Sequence, residues 1–194
     1  MSEERNSDQS REVSRRQVVT WLWRVPVIAV LGGAGYGLYE ALNVHFFKRR
    51  PAARPVFDDA QPSEVGPLTS FAAAWDAIEF TLTLSSAASL PAVAIRLPGS
   101  IPGGLDIGDV HLAAFSRVCT HQHCVAQLNT DVAAINFGFN YGTDSPAITC
   151  PCHLSVFDPQ RSGQAVSGPA IEPLPRVRLE LTGDAVLATG VEQS

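Results

Sequence analysis

All four cysteines of this 194-residue chain, and three of its five histidines, fall in two short segments: Cys119-Thr120-His121-Gln122-His123-Cys124 and Cys150-Pro151-Cys152-His153. Each segment supplies one close thiolate–imidazole pair, Cys119 with His121 as C-x-H and Cys150 with His153 as C-x-x-H. Two thiolates and two imidazoles suit a two-iron, two-sulfide cluster with cysteines on one iron and histidines on the other. A tetrahedral zinc site also accepts two cysteines and two histidines. Its usual spacing leaves two to four residues between cysteines and three to five between histidines, and C-x-H is tighter than that. Four cysteines paired as two structural disulfides would leave the placement of His121 and His153 without a reason. Metal analysis and reduced-state EPR separate the cluster from the zinc alternative.

The two boxes resemble those of the Rieske iron-sulfur proteins of cytochrome bc and bf complexes. The resemblance is carried by the residues from about Val110 to Ala170. It implies one 2Fe-2S cluster held by Cys119, His121, Cys150 and His153, with Cys124 and Cys152 joined as a disulfide that clamps the ligand loops. It places Ser155 where a hydroxyl donates to a cluster sulfide, and it makes Gly168-Pro169-Ala170 a Pro loop covering the cluster's other side. His153 is then the ligand set against a quinol hydroxyl, and His121 the other exposed ligand; these two are the candidate catalytic residues. Three departures stand out. Phe157 replaces a tyrosine whose hydroxyl bonds a ligand sulfur, which removes one potential-raising hydrogen bond and favours a menaquinol-type donor. Gln122-His123 replaces the commoner Leu-Gly and Leu154 the usual glycine after His153, which changes the tip that meets a quinone pocket, with His123 close to the cluster but outside the ligand pattern. The segment from Val125 to Thr149 is long, and its aromatic, asparagine-rich part at 136–141 is expected to form an extra hairpin.

The elements that must position these boxes read as β-strands. Ile78, Phe80, Leu82 and Leu84 alternate with Glu79, Thr81 and Thr83, and Val93, Ile95 and Leu97 repeat the pattern. Val177, Leu179 and Leu181 do so again, followed by a Thr182-Gly183-Asp184 turn and a further strand over 185–189. An all-β head is expected over 69–194, and the resemblance implies the Rieske fold: an antiparallel β-sandwich with a cluster-binding subdomain, about 111–168, inserted in it. His111, leading into the first box, reads as a packed or hydrogen-bonded structural histidine.

Ahead of the head, Ser14-Arg15-Arg16-Gln17-Val18-Val19 has the layout of a twin-arginine export signal, so residues 1–17 read as a cytoplasmic signal region. That route carries folded proteins, as a cluster assembled in the cytoplasm requires, and a disulfide needs the oxidising side of the membrane. Residues 18–47 read as a retained transmembrane helix, since about 20 apolar residues cover the hydrocarbon core. Trp21 and Trp23 at one end and Tyr36 and Tyr39 at the other suit interfacial belts, and Gly33 and Gly37 form a G-x-x-x-G that can pack on a partner helix. Residues 48–68, with Pro51, Pro55, Pro62 and Pro67, read as a semi-rigid linker. In the family such a segment is a hinge.

From Val56 onward the chain has five arginines, no lysine and fourteen acids, a net charge of −9. Such a head excludes nucleic-acid binding and favours a basic partner such as a c-type cytochrome. Together these readings give a single-pass bacterial or archaeal membrane protein with its head outside the cytoplasm. It is expected to be the Rieske subunit of a quinol:cytochrome c (or plastocyanin-like) oxidoreductase, taking one electron from quinol with coupled proton release. A cytochrome b subunit, a c-type cytochrome and a dimeric complex are the implied partners. The alternative is the Rieske small subunit of an exported arsenite-oxidase-type molybdoenzyme.

Overall fold

A computed structural model describes residues 14–46 and 48–193, in two units, Met1–Ala41 and Leu42–Ser194. Most of the expected signal region lies outside the described residues. The helix α1 spans Arg15–Phe46 and leaves large apolar side chains exposed, among them Trp21, Leu22, Ile28 and Leu31. Its stretch Val18–Tyr39, 22 residues of mean hydropathy 1.5, is long and apolar enough to cross a membrane. A helix that exposes apolar side chains on all sides is suited to lipid.

The head is mostly β. Strands β1 (Phe57–Pro67), β2 (Ala77–Leu84), β3 (Ser89–Leu97), β4 (Leu105–Ile107), β5 (Val110–Ser116), β10 (Arg176–Thr182) and β11 (Ala185–Glu192) form one sheet in the order β10-β11-β1-β2-β3-β5-β4. A further antiparallel pairing of β10 with β5 closes six of these strands into a barrel, with β4 on its margin. Closure removes the exposed edges that an open sheet would offer to other chains. The second sheet is smaller, ordered β6 (Gln127–Asn129), β7 (Ala147–Cys150), β8 (Ser155–Asp158), β9 (Gln164–Ser167).

Strands β3 and β5 are the junction between the two sheets. Alternate side chains of a strand point to opposite faces, and here both faces are buried. Ala92, Ala94, Leu112 and Ala114 pack into the barrel with Leu82, Val177 and Val186. Val93, Ile95, Ala113 and Phe115 face the other way and join Ile148, Phe157, Cys119 and Cys150 in a second apolar cluster. The small sheet and its ligand boxes are therefore seated on the outer face of the barrel wall.

The structure redraws two expected boundaries. Residues 57–67, expected within the linker, are β1, which pairs with both β11 and β2. Register shifts between Asp59 and Ser63 and between Glu64 and Gly66 break the two-residue period that would have announced a strand. Residues 111–116 belong to barrel strand β5, so the small sheet is entered only after them. The hairpin expected over 136–141 is instead the end of a short helix, α2 (Val132–Gly138), and the loop behind it. Asp131 caps α2 by accepting from the Ala134 amide at 3.0 Å, and Asn136 holds the following loop by accepting from the Thr143 amide at 2.8 Å. Ile135, fully buried with Ala147 and Val156, anchors the helix to the small sheet.

Candidate metal centre

The first box is a tight loop between β5 and β6. The Cys119 amide donates to the Cys124 carbonyl at 2.8 Å and the His123 amide to the Cys119 carbonyl at 2.9 Å, while Val118 bridges Val125 across the loop mouth. His123 takes φ 58°, a left-handed conformation uncommon for a side chain-bearing residue. The second box is the β7–β8 hairpin, in which Cys150 pairs with Ser155 and the intervening turn places Leu154 at φ 60°. The resemblance sets a glycine at Leu154's position, and the structure shows why: the backbone keeps the glycine-type conformation although the side chain has changed. Val125 and Leu154, the residues directly after the two boxes, are both exposed and apolar.

The two boxes converge. Cys124 and Cys152 form a disulfide that joins them. The rings of His121 and His153 stand edge to face with centroids 4.9 Å apart. Cys119 and Cys150 are free thiols, each 1% exposed. The Sγ atoms of Cys124, Cys150 and Cys152 lie within 4.8 Å of one another, but two of them are spent in the disulfide and that trio is no ligand set.

The residues present fit a cluster held by two thiolates and two imidazoles. Among the described residues His121 Nδ1 is buried without a hydrogen-bond partner, although buried polar atoms are normally satisfied. Burial, with the Cys119 thiol alongside, pushes the Cys150 thiol above its ordinary value. A buried thiol such as Cys150 ionises readily only against a cation, and iron is such a cation. His153 is exposed where His121 is only partly so.

Ser155 is buried, and its Oγ accepts from the Ala170 amide at 3.2 Å. A hydroxyl has one donor and two acceptor sites, so the proton stays available for a sulfide. Gly168, at φ 77°, lies so close to the second box that a Cβ would meet the Leu154 carbonyl oxygen at 2.5 Å. Glycine alone permits that approach. The Pro loop and the second box are thus in direct contact. Phe157, fully buried, packs in the same cluster as Cys119 and Cys150. His111 is hydrogen-bonded through Nδ1 to Asp106 at 2.7 Å, as a structural histidine should be. Hydrogen bonds from Ser100 and His111 hold the Asp106 carboxyl below its ordinary range.

One contributor escaped the sequence reading. Lys48 Nζ donates to the Gly168 carbonyl and, at 2.6 Å, to the Ala170 carbonyl. In the sequence it is one member of a basic cluster, 120 residues before the loop it holds.

Residues 105–178 match the sequence family described as the Rieske [2Fe-2S] domain. The iodate reductase subunit IdrB of Denitromonas iodatirespirans is 32% identical over 101 residues, 52% of this chain and 48% of that protein. The cytochrome bc1 complex Rieske iron-sulfur subunit of Streptomyces lividans is 30% identical over 96 residues, 48% of this chain and 49% of that protein. The matched stretch spans about half the length of these curated relatives. Among solved structures, the soluble domain of the Rieske protein II (soxF) of Sulfolobus acidocaldarius superposes with a TM-score of 0.51 at 21% identity, covering 68% of this chain and 78% of that one. That likeness shows the fold.

Proposed function

We propose, on the premise that this chain carries a Rieske [2Fe-2S] domain over residues 105–178, that it is the electron-transfer subunit of a quinol:cytochrome c oxidoreductase anchored by α1. In this reading Cys119 and Cys150 hold one iron, and His121 and His153 the other. When bound, the cluster supplies a one-electron couple, and neutral imidazoles on one iron place Rieske potentials at roughly −150 to +300 mV.

The chain's own residues do the rest. His153, exposed at the tip, would offer the ring nitrogen not used for iron to the donor hydroxyl and accept its proton there. Val125 and Leu154 give the tip an apolar surface that suits a greasy donor pocket. Ser155 would donate its free hydroxyl proton toward the sulfur side, and the buried surroundings of Cys119 and Cys150 would keep water from the thiolates. The exposed His153 beside the exposed apolar Leu154 is the observation that carries this reading. An electron acceptor with a basic surface, such as a c-type cytochrome, suits the acidic head. The head then lies on the extracytoplasmic side, where the Cys124–Cys152 disulfide persists.

A second reading is the Rieske small subunit of an exported molybdoenzyme of arsenite-oxidase type. It is supported by the likeness to an iodate reductase subunit over as much of the chain as to a bc1 subunit, and by the bulky Leu154 after His153. The experiment that tests both is EPR of the reduced cluster in native membranes with and without a quinol-site inhibitor. A shift of the g-values on inhibitor binding is the expected result. An unchanged spectrum, with a molybdopterin subunit co-purifying, would establish the second reading instead.

A further inference from the structure

The segment that leads out of α1 runs along the Pro loop as a strap. Lys48 reaches the Gly168 and Ala170 carbonyls, and the Arg49 amide donates to the Ile171 carbonyl at 3.0 Å. The Arg49 guanidinium adds an exposed ion pair to Glu172 at 2.8 Å. Further on, the Ala52 carbonyl accepts from the guanidinium of Arg176 at 2.8 Å, and Pro55 packs so near Gly103 that a Cβ there would lie 2.8 Å from its ring. Arg176 is itself 1% exposed and paired with Glu192 at 2.5 Å, so the strap is pinned to a fixed group of the barrel.

The contact at Lys48 is one residue-to-residue step from the cluster site. The carbonyl it holds belongs to Ala170, whose amide donates to Ser155 Oγ at 3.2 Å. The next residues of the same loop are held from the other side, since Thr120 Oγ1, inside the first box, donates to the Glu172 carbonyl at 2.8 Å. An ammonium grips two carbonyls more strongly than a neutral donor does, because charge-assisted hydrogen bonds are roughly twice as strong as neutral ones. Partial burial pulls the Lys48 ammonium below the ordinary lysine value.

We infer that Lys48 is a positioning residue for the cluster site, holding the Pro loop in place against Ser155 through the Gly168 and Ala170 carbonyls. This inference concerns the loop and strap alone, and it stands whichever complex receives the electron.

The test uses the full chain, with and without its cluster, as wild type, Lys48→Met, Lys48→Arg and Arg49→Gln. Amide hydrogen exchange at Arg49 and Ala170 is read alongside the EPR spectrum and midpoint of the cluster. Lys48→Met is expected to speed exchange at both amides by about tenfold or more, as loss of a charged hydrogen bond implies, to lower the midpoint and to change the g-values. Lys48→Arg should restore all three, and Arg49→Gln, which removes only an exposed ion pair, should leave the spectrum at wild type. Wild-type exchange at Ala170 in Lys48→Met would overturn the inference. So would a midpoint change without an exchange change, which would reduce Lys48 to a distant charge. Should Lys48→Met bind no cluster, the exchange comparison between the cluster-free proteins decides by the same criterion.

Discussion

Barrel and tip share antiparallel pairing and one apolar cluster across β3 and β5, but they distribute awkward residues differently. Among the described residues, six non-glycines have positive φ: Trp75 and Ala87 border barrel strands, whereas His123, Asn140, Leu154 and Ser162 lie around the small sheet. His123 sits inside the first ligand box, and Leu154 directly follows the second. The unpartnered His121 Nδ1 and the two buried free thiols are there too. The barrel buries Leu82, Ala94 and Val186 completely and asks nothing of them beyond packing. Left-handed side chains and unsatisfied buried atoms cost free energy that a fold retains only where the surroundings over-determine it. The comparison teaches that the barrel supplies the stability and the tip uses it to hold ligands in place.

The sharpest break of this division is Cys150→Ser. It should abolish the cluster, with the reduced-state EPR signal absent and iron content near zero, while the barrel keeps its far-UV circular dichroism. Retention of a Rieske signal would refute the ligand assignment. On the other side, Leu82→Ala hollows the barrel core and should lower stability by roughly 2–5 kcal/mol. Denaturant unfolding measures it, and the g-values of the folded fraction should not move. Smaller is Phe157→Tyr, which offers a hydroxyl to the cluster of buried residues containing Cys119 and Cys150. One added hydrogen bond of about 1 kcal/mol favouring the reduced state corresponds to roughly +40 mV for a one-electron couple. An unchanged midpoint in protein-film voltammetry would show that Phe157 does not face a ligand sulfur. Smallest is Leu154→Gly. Relief of the left-handed conformation should raise stability by up to about 1 kcal/mol, seen as a modest rise in Tm, and the loss of an apolar side chain at the tip should weaken docking.

How much of this was legible in the sequence depended on the physics of each part. Alternation over Ile78–Leu84, Val93–Leu97 and Val177–Leu181 announced β2, β3 and β10, because each sends alternate large apolar side chains into a core. β1 was hidden by its bulges, which shift inward positions out of step, and by Pro62 and Pro67, which read as linker. α2 was hidden by its seven residues, too few for a helical period, although Asp131 before Val132 was a usable capping signal. The convergence of the two boxes and the Cys124–Cys152 disulfide followed from the family resemblance of adjacent residues. The grip of Lys48 on the Pro loop did not, because a contact across 120 residues of sequence leaves no local pattern.

The near-complete burial of Cys119 and Cys150 beneath a disulfide between their two loops also fixes a chronology. Iron reaching a finished tip would find its thiols out of reach and the loops already stapled. Loading must come first and oxidation second, so the sulfur–sulfur bond acts as a seal on completed cargo. A chain oxidised at Cys124 and Cys152 before reconstitution should therefore take up iron and sulfide far more slowly than one kept reduced, and this difference should vanish when both cysteines are changed to serine.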